Sequence, residues 1–491
     1  MNLAAGLRRV ARRLPSEPAL LADDAVISYA ELDARVDRAA AGLRAVGVAQ
    51  GERVGLLADN GVPLVTALYG IWRAGAVAVP LTAGSTTEEA RYVLGHAGVR
   101  AVVVDGSHRQ TILAIEDALA DLAQVLDADD AAWAALAPDA PQAPDREGDG
   151  LALLAYTAGT TGQPRGAMLR HAHLAANHEQ LEATRQQVGE RDVVLGVLPM
   201  SHIYGLNVGL AYPLGCGAAV ACLERFEPEA CLDAVARDHV TVVLGVPPMY
   251  AAWLQVGPGE RDLSSIRLAA SGAAPLAPET ATAFEAAFGV PIWEGYGLTE
   301  TAPVLTTTAM GDHPRPGSVG RPVPDVELRL VGDRGQPVAP GDPGEILARG
   351  PNVFDGYWRD RAATERAFTA DGFFRTRDVG YADADGEIHL IDRKSDLIIV
   401  NGFNVYPREV EDVLVDHPSV AQAGVVGVAD ARSGEAVKAV VVLRPGATVS
   451  EDELARYCAR FLARFKCPGQ IAFADELPSL ATGKLLRREL R

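Results

Sequence analysis

Apolar positions recur along almost the whole chain, and their period changes repeatedly between that of a helix and that of a strand. Leu3, Leu7 and Val10 share one helical face near the N-terminus and predict a short amphipathic helix. Ser28-Tyr29-Ala30-Glu31 reads as a capping box, after which Leu32, Val36, Leu43 and Val46 repeat at helical spacing until Gly47 supplies the stop. Continuous apolar runs at 53–58, 76–80 and 100–105 predict buried strands, with a helix over 62–75 between the first two. Strands alternating with helices predict right-handed crossovers and a parallel, covered sheet.

Between about residues 114 and 150 the chain becomes rich in Ala and Asp and ends in APDAPQAPDREGDG, which predicts a helix followed by a surface linker. Strand-like runs then return at 151–157, 193–198, 218–222, 241–246 and 266–271 and predict a second α/β layer. From about Gly317 closely spaced Gly and Pro separate short strands, which predicts antiparallel hairpins and a small β-barrel before residue 393. Beyond it, PREVEDVLVDHPSV predicts a helix, AGVVGVA and AVKAVVVLRP two strands, and Ser450 the cap of a helix that runs through Phe461. The expected architecture is therefore α/β. A large N-terminal domain, residues 1–392, holds two α/β layers and the small β-barrel part, and residues 393–491 form a small α+β domain.

Composition agrees with this size. At about 150 residues per domain, 491 residues suggest about three folding units. With 48% hydrophobic and 22% charged residues the chain has material for a large core. Lys+Arg 45 against Asp+Glu 64 gives 45 − 64 = −19, which argues against a nucleic-acid or anionic-membrane surface, so an anionic ligand must be met locally. The five cysteines are scattered and never form a C-x-x-C pair, which predicts reduced thiols and a cytoplasmic protein. The N-terminus has no apolar stretch of signal-peptide length, and no apolar run reaches the ~20 residues of a spanning helix.

Chemistry concentrates first in Tyr156-Thr157-Ala158-Gly159-Thr160-Thr161-Gly162-Gln163-Pro164-Arg165-Gly166, a loop directly after an apolar strand. Its glycines and threonines offer backbone N–H groups and hydroxyls to an anion, and Arg165 adds positive charge, so a polyphosphate is the natural guest. A Gly/Thr surface turn is the competing reading. The spacing departs from G-x-x-x-x-G-K-S/T, which rules out a P-loop. In EGYGLTE (294–300), Glu300 is a hard carboxylate in a Gly-flanked turn and suits Mg²⁺. Asp378, in TRDVG after a strand-like run, is a carboxylate that can accept hydrogen bonds from both hydroxyls of a ribose. His202 lies in LPMSHIYG (198–205) between Met200 and Tyr204. His171, His173 and His178 lie close in sequence, without an acidic or thiol partner in a zinc pattern.

The 156–166 loop resembles the phosphate-binding signature of the adenylate-forming superfamily, which holds acyl-CoA synthetases, firefly luciferases and peptide-synthetase adenylation domains. LPMSHIYG, SGAAPL (271–276), EGYGLTE, TRDVG (376–380), IDRKSDLIIVNGFNVYPREVE (391–411) and PSLATGKLLRREL (478–490) match further family motifs in order along most of the chain. The resemblance implies an ATP-dependent, AMP-forming acid–thiol ligase that uses ATP, Mg²⁺ and CoA. By that resemblance Thr157, Gly159, Thr160, Thr161, Gly162 and Arg165 hold the phosphates, with Thr161 and Glu300 on Mg²⁺, and Thr299 meets the α-phosphate. Ser271, Gly272 and Ala273, with Glu294, Gly295, Tyr296 and Gly297, take adenine, and Asp378 and Arg393 take the ribose. His202 positions the acid. Lys484 bridges carboxylate and α-phosphate, and the 393–491 domain rotates so that Gly402 lines the pantetheine tunnel.

Three positions depart from the family pattern: Ala158 stands in place of serine, Arg165 in place of lysine, and Ser395 at the hinge in place of Asp or Lys. Slower adenylation is the expected consequence. The family's amino-acid-activating members carry an Asp in the motif that here reads LPMSHIYG, so an amino-acid substrate is not expected. GVPPMYAAW (245–253) and GEAVKAVVVL (434–443) resemble fatty acyl-CoA ligases and their aryl relatives, which points to a medium- or long-chain fatty acid. An aryl or malonyl-type acid, a carrier-protein phosphopantetheine in place of CoA, and a luciferase-like oxygenase or inactive binding homologue are the alternatives. A monomer or homodimer is expected.

Overall fold

The computed structural model describes residues 2–22, 25–137, 149–157, 164–332, 334–393, 396, 398–400, 403–430, 434–479 and 485–490. The chain divides into two compact units. The first comprises Met1–Gly272, Leu276–Glu327 and Arg349–Phe374, and the second Ala273–Pro275, Leu328–Ala348 and Arg375–Arg491.

Two sheets organise the first unit. A six-stranded sheet has the order Gln124–Asp127, Val99–Val104, Arg53–Leu57, Val77–Pro80, Leu151–Thr157, Arg165–Arg170. Its neighbours are parallel except for the last pair, an antiparallel hairpin whose loop is the predicted phosphate loop. The predicted strands over 53–58, 76–80 and 100–105 are thus present. Their near-continuous apolar character has a simple cause, since both faces are covered. Ala101 and Val103 enter one core, while Val102 and Val104 enter another. The first core is filled by helices Leu3–Arg13, Tyr29–Ala45 and Val62–Ala74 and reaches the second sheet through Leu210, Leu214 and Val220. The capping box at Ser28 forms as predicted, with its N–H on the Glu31 carboxylate at 2.9 Å.

The second sheet has nine strands in the order Arg321–Pro322, Val304–Thr307, Ile292–Gly297, Leu268–Ser271, Val242–Gly245, Val193–Gly196, Ala219–Cys222, Pro18–Ala22, Ala25–Ser28. From Ile292–Gly297 to Pro18–Ala22 the pairs are parallel, so the carboxyl ends of these strands share one edge. In an open parallel sheet that edge is where ligands bind.

The region read as a helix and linker holds a strand as well: Gln124–Asp127 pairs with Val99–Val104 before helix Asp130–Leu136, and residues 138–148 lie outside the described ones. A second correction concerns the small β part. Glu327–Val331, Gly344–Arg349, Phe374–Ala382 and Ile388–Arg393 form a four-stranded sheet with two open edges, and no closed barrel exists among the described residues. Alternating strands and turns specify hairpins, whereas closure also needs matched tilt and stagger.

The rest of the second unit is a sheet of Phe403–Val405, Ile398–Val400, Gly434–Leu443, Val420–Asp430 and Gln470–Phe473, with helices Pro407–Val415 and Glu451–Phe461. Its own core gathers Val410, Leu414, Val425, Val437, Val441, Leu454 and Cys458. The Ser450 cap holds as predicted. All five cysteines are free thiols. No helix among the described residues is long and apolar enough to cross a membrane.

Candidate active site

Several predicted residues meet at the carboxyl edge of the nine-stranded sheet. Ser271 ends its strand in register with Glu294 of Ile292–Gly297. The Ser271 hydroxyl is buried and has no hydrogen-bond partner among the described residues, so a polar edge of a ligand would satisfy it. Gly272 follows beneath the Tyr204 ring, where a Cβ would come within 3.3 Å of Tyr204 Cε1. Ala273, assigned to the second unit, is exposed with a φ of 66°. The Glu294 backbone is pinned from both sides: its N–H donates to Thr308 Oγ1 at 2.8 Å, and its carbonyl accepts from Thr307 Oγ1 at 2.9 Å.

Gly295, Tyr296 and Gly297 continue the strand, opposite Thr307, Thr306 and Val304. Gly297 is required by contact. A Cβ there would lie 1.7 Å from the Pro303 carbonyl oxygen, a backbone atom that cannot step aside. Gly297→Ala is accordingly expected to cost about 1–3 kcal/mol or more and to displace the turn that follows, read as a lower melting temperature together with lost pyrophosphate exchange. A variant with wild-type melting and exchange would show that the turn yields.

That turn, Thr299–Thr301, carries Glu300. Glu300 is 8% exposed. Its carboxylate accepts one hydrogen bond, from the Tyr357 hydroxyl at 2.8 Å, and meets no cation among the described residues. A buried carboxylate without a positive partner is costly, which is the setting that a bound Mg²⁺ would complete. The chain after Glu300 is gripped by buried side-chain amides. Asn207 donates to the Ala302 carbonyl at 2.7 Å, and Asn352 to those of Thr301 at 2.7 Å and Val304 at 3.0 Å. Asn177 donates to Val304 O at 3.0 Å and accepts the Val304 N–H at 3.2 Å. Sequence reasoning missed these residues and Tyr357. Each is an isolated polar side chain in its own stretch of sequence, and only the fold assembles them.

Thr157 and Arg165 sit opposite each other at the base of the hairpin. Gly159, Thr160, Thr161 and Gly162, with Ala158, lie outside the described residues. Arg165 donates from Nε to Asp360 Oδ2 at 3.1 Å, and its guanidinium carbon lies 5.8 Å from the centre of the Tyr357 ring. His202 lies in the turn after strand Val193–Gly196, with its Nδ1 accepting the Tyr204 N–H at 3.3 Å. Asn60, at the carboxyl end of Arg53–Leu57, holds this turn: its Oδ1 accepts the Met200 N–H at 2.9 Å and its Nδ2 donates to Leu198 O at 2.9 Å. Beyond it, Tyr204–Ala211 is a π-helix, a rare form that recurs at functional sites.

The three neighbouring histidines go to different partners. His171 Nδ1 accepts the Leu3 N–H at 3.4 Å, His173 Nδ1 accepts the Arg170 N–H at 3.2 Å, and His178 Nε2 contacts Asn207 Oδ1 at 2.8 Å. Burial pulls His178 down to about 4, so it is neutral at neutral pH and serves the amide network.

In the second unit Asp378 is 6% exposed and faces Arg393 across the antiparallel pair, which brings the two predicted ribose contacts into register. Asp378 N–H donates to Thr376 Oγ1 at 3.0 Å. Gly402 and Lys484 lie outside the described residues.

Residues 7–358 match the model of the AMP-binding enzyme family, and residues 409–484 that of the AMP-binding enzyme C-terminal domain. The chain belongs to this family of adenylate-forming enzymes. A feruloyl-CoA synthase from Amycolatopsis sp is 38% identical, over 98% of this chain and 97% of that protein. A long-chain-fatty-acid–CoA ligase from Escherichia coli O157:H7 is 33% identical over 98% of this chain and 92% of its own length. Among solved structures, ATP-bound MatB from Rhodopseudomonas palustris superposes with a TM-score of 0.92 at 36% identity, covering 100% of this chain and 98% of that one. This AMP-binding enzyme is an acid–thiol ligase that uses ATP and CoA.

Proposed function

We propose that this ligase activates a monocarboxylic acid with a large apolar body, an aromatic acid ahead of a fatty acid, and passes the acyl group to CoA. The observation that carries the reading is the absence of any Asp, Glu, Lys or Arg from residues 198–216, which hold the His202 proposed to position the acid, and from residues 245–256, which include the stretch that resembles fatty acyl-CoA ligases and their aryl relatives. An apolar acid needs no counter-charge there, whereas a dicarboxylate or an amino acid does. The order of the two acids rests on identity, 38% to the feruloyl-CoA synthase against 33% to the long-chain ligase. It revises the fatty-acid preference that the sequence alone suggested.

In this reading the substrate carboxylate attacks the α-phosphorus of ATP and pyrophosphate departs. Thr157, the 158–163 loop and Arg165 hold the leaving phosphates, and Thr299 meets the α-phosphate. Lys484 follows the charge from carboxylate to phosphate, since an ammonium on a long stem can serve both. Ser271, Gly272 and Ala273, with Glu294, Gly295, Tyr296 and Gly297, take adenine, Asp378 and Arg393 take the ribose, and His202 orients the acid. Glu300 and Thr161 would hold Mg²⁺, which when bound supplies positive charge to the phosphates. The thiol of CoA then attacks the acyl carbonyl and AMP leaves. Movement of residues 393–491 exchanges Lys484 for the segment around Gly402 between the two stages.

The test is acid-dependent release of pyrophosphate and AMP across cinnamate-type, benzoate-type and fatty acids, with and without CoA. Aromatic acids are expected to lead, with acyl-CoA formed only when CoA is present. No acid-dependent pyrophosphate release from any of them would overturn the reading. Lys484→Ala is expected to lower adenylation while leaving the transfer of pre-formed acyl-AMP to CoA intact.

A further inference from the structure

The segment 354–360 is tied to two parts of the site at once. Along the hairpin strand Arg165–Arg170, Trp358 N–H donates to Gly166 O at 2.8 Å, Met168 N–H to Gly356 O at 3.0 Å, and Asp355 N–H to Met168 O at 3.2 Å. Ala167 and Tyr357 stand opposite each other as an antiparallel bridge. Toward the Thr299–Thr301 turn, Phe354 N–H donates to the Glu300 carbonyl at 2.9 Å. The segment is thus a short added strand on the hairpin whose first residue grips the backbone of the acid. Gly356 permits the bend: its φ is 127°, and a Cβ there would lie 2.4 Å from Thr364 Cγ2.

One side chain of this segment reaches both chemical groups. The Tyr357 hydroxyl donates to Glu300 Oε1 at 2.8 Å, and its ring lies 5.8 Å from the Arg165 guanidinium carbon. Asp360, three residues on, accepts from Arg165 Nε at 3.1 Å. The Tyr357 backbone is itself fixed, with its N–H on Thr364 Oγ1 at 2.9 Å and its ring 5.0 Å from that of Phe354. We infer that Tyr357 is a positioning residue that sets the orientation of the Glu300 carboxylate through its hydroxyl and of Arg165 through its ring. The acid that would hold the metal and the cation at the base of the phosphate loop then answer to the same side chain. This rests on the role given above to Glu300.

The physical basis is the single hydrogen bond. An ionised carboxylate accepts at both oxygens, and one phenol donor fixes its plane while leaving acceptor sites for a cation. Without that donor the acid would spread over rotamers, and a cation would have to order it on binding. Loss of an outer partner of this kind typically weakens metal affinity about 10–100-fold.

The test uses the full-length protein and calorimetric binding of ATP in the absence of any acid, so that nothing is turned over. Titrations are made with Mg²⁺ and with EDTA. In the wild type Mg²⁺ is expected to tighten ATP binding. Tyr357→Phe, which keeps the ring beside Arg165, is expected to lose about tenfold of that gain while its affinity in EDTA stays at the wild-type value. Tyr357→Leu, which removes the ring as well, is expected to weaken ATP binding in EDTA too. A full Mg²⁺-dependent gain in Tyr357→Phe would overturn the inference. Glu300→Gln, run in parallel, separates the two possible failures. If it abolishes the gain and Tyr357→Phe does not, the positioning role is wrong and Glu300 keeps its own. If Glu300→Gln also keeps the gain, the role of Glu300 is wrong and the inference falls with it.

Discussion

Glu300→Gln is expected to lower acid-dependent pyrophosphate release by about a hundredfold or more while leaving the ligand-free protein as stable as the wild type or more so. The two effects share one cause. Glu300 is 8% exposed, its only hydrogen-bond donor among the described residues is the Tyr357 hydroxyl, and it meets no cation there. Glutamine replaces this buried carboxyl group, which has no positive partner among the described residues, at nearly the same shape. The amide oxygen can still accept from Tyr357, but it brings no charge to a cation beside the phosphates. Pyrophosphate release and thermal melting, measured on one preparation, check both halves. Release at the wild-type rate would remove the acid from the reaction. A clearly lower melting temperature would mean that a positive partner compensates the charge.

Asp33→Ala is expected to destabilise the first unit by about 3–5 kcal/mol, seen as a lower denaturant midpoint. The buried Arg8 and Arg73 and the half-buried Asp33 and Asp37 form a quartet that joins helices Leu3–Arg13, Tyr29–Ala45 and Val62–Ala74. Arg73 contacts Asp33 at 2.5 Å and Asp37 at 3.2 Å, while Arg8 pairs with Asp37. The arginine side chains are only 2% and 3% exposed. Burial draws the Arg73 guanidinium below its usual range, and the Asp33 and Asp37 carboxylates pull it back up. Removing Asp33 leaves two buried guanidinium groups facing one carboxylate. Replacing the whole quartet with apolar side chains of similar volume is expected to cost less than Asp33→Ala alone, because no charge is then stranded. If the single change proves as mild as a surface substitution, the quartet contributes little to the joint between the helices.

The sequence pattern reached far into this fold where local rules decide the outcome. The capping box at Ser28, the buried strands of the first sheet and the Ser450 cap all follow from spacing within a few residues. The strand Gln124–Asp127 did not, because it is an edge strand with a single neighbour and only Leu126 of it is buried. The π-helix Tyr204–Ala211 leaves no separate trace either, since its apolar content is that of any buried helix. In the site, motifs pointed to the residues proposed to touch a ligand, while those that hold the backbone around them were hidden. Asn177, Asn207 and Asn352 converge on residues 301–304 from distant stretches of chain, and a lone amide reads as a surface residue until the fold is known.

The division of strand Val99–Val104 between two cores has a consequence for how the chain can vary. Ala101 and Val103 serve one core, Val102 and Val104 the other. Substituting one of them disturbs one core only. Deleting or inserting one residue in the strand would hand each core the side chains meant for its opposite, with the Ala/Val volumes interchanged and the neighbouring strands Arg53–Leu57 and Gln124–Asp127 mismatched in register. Variants of this segment should therefore accumulate by exchange of side chains and not by change of length, so the strand acts as a ruler against which both cores are measured.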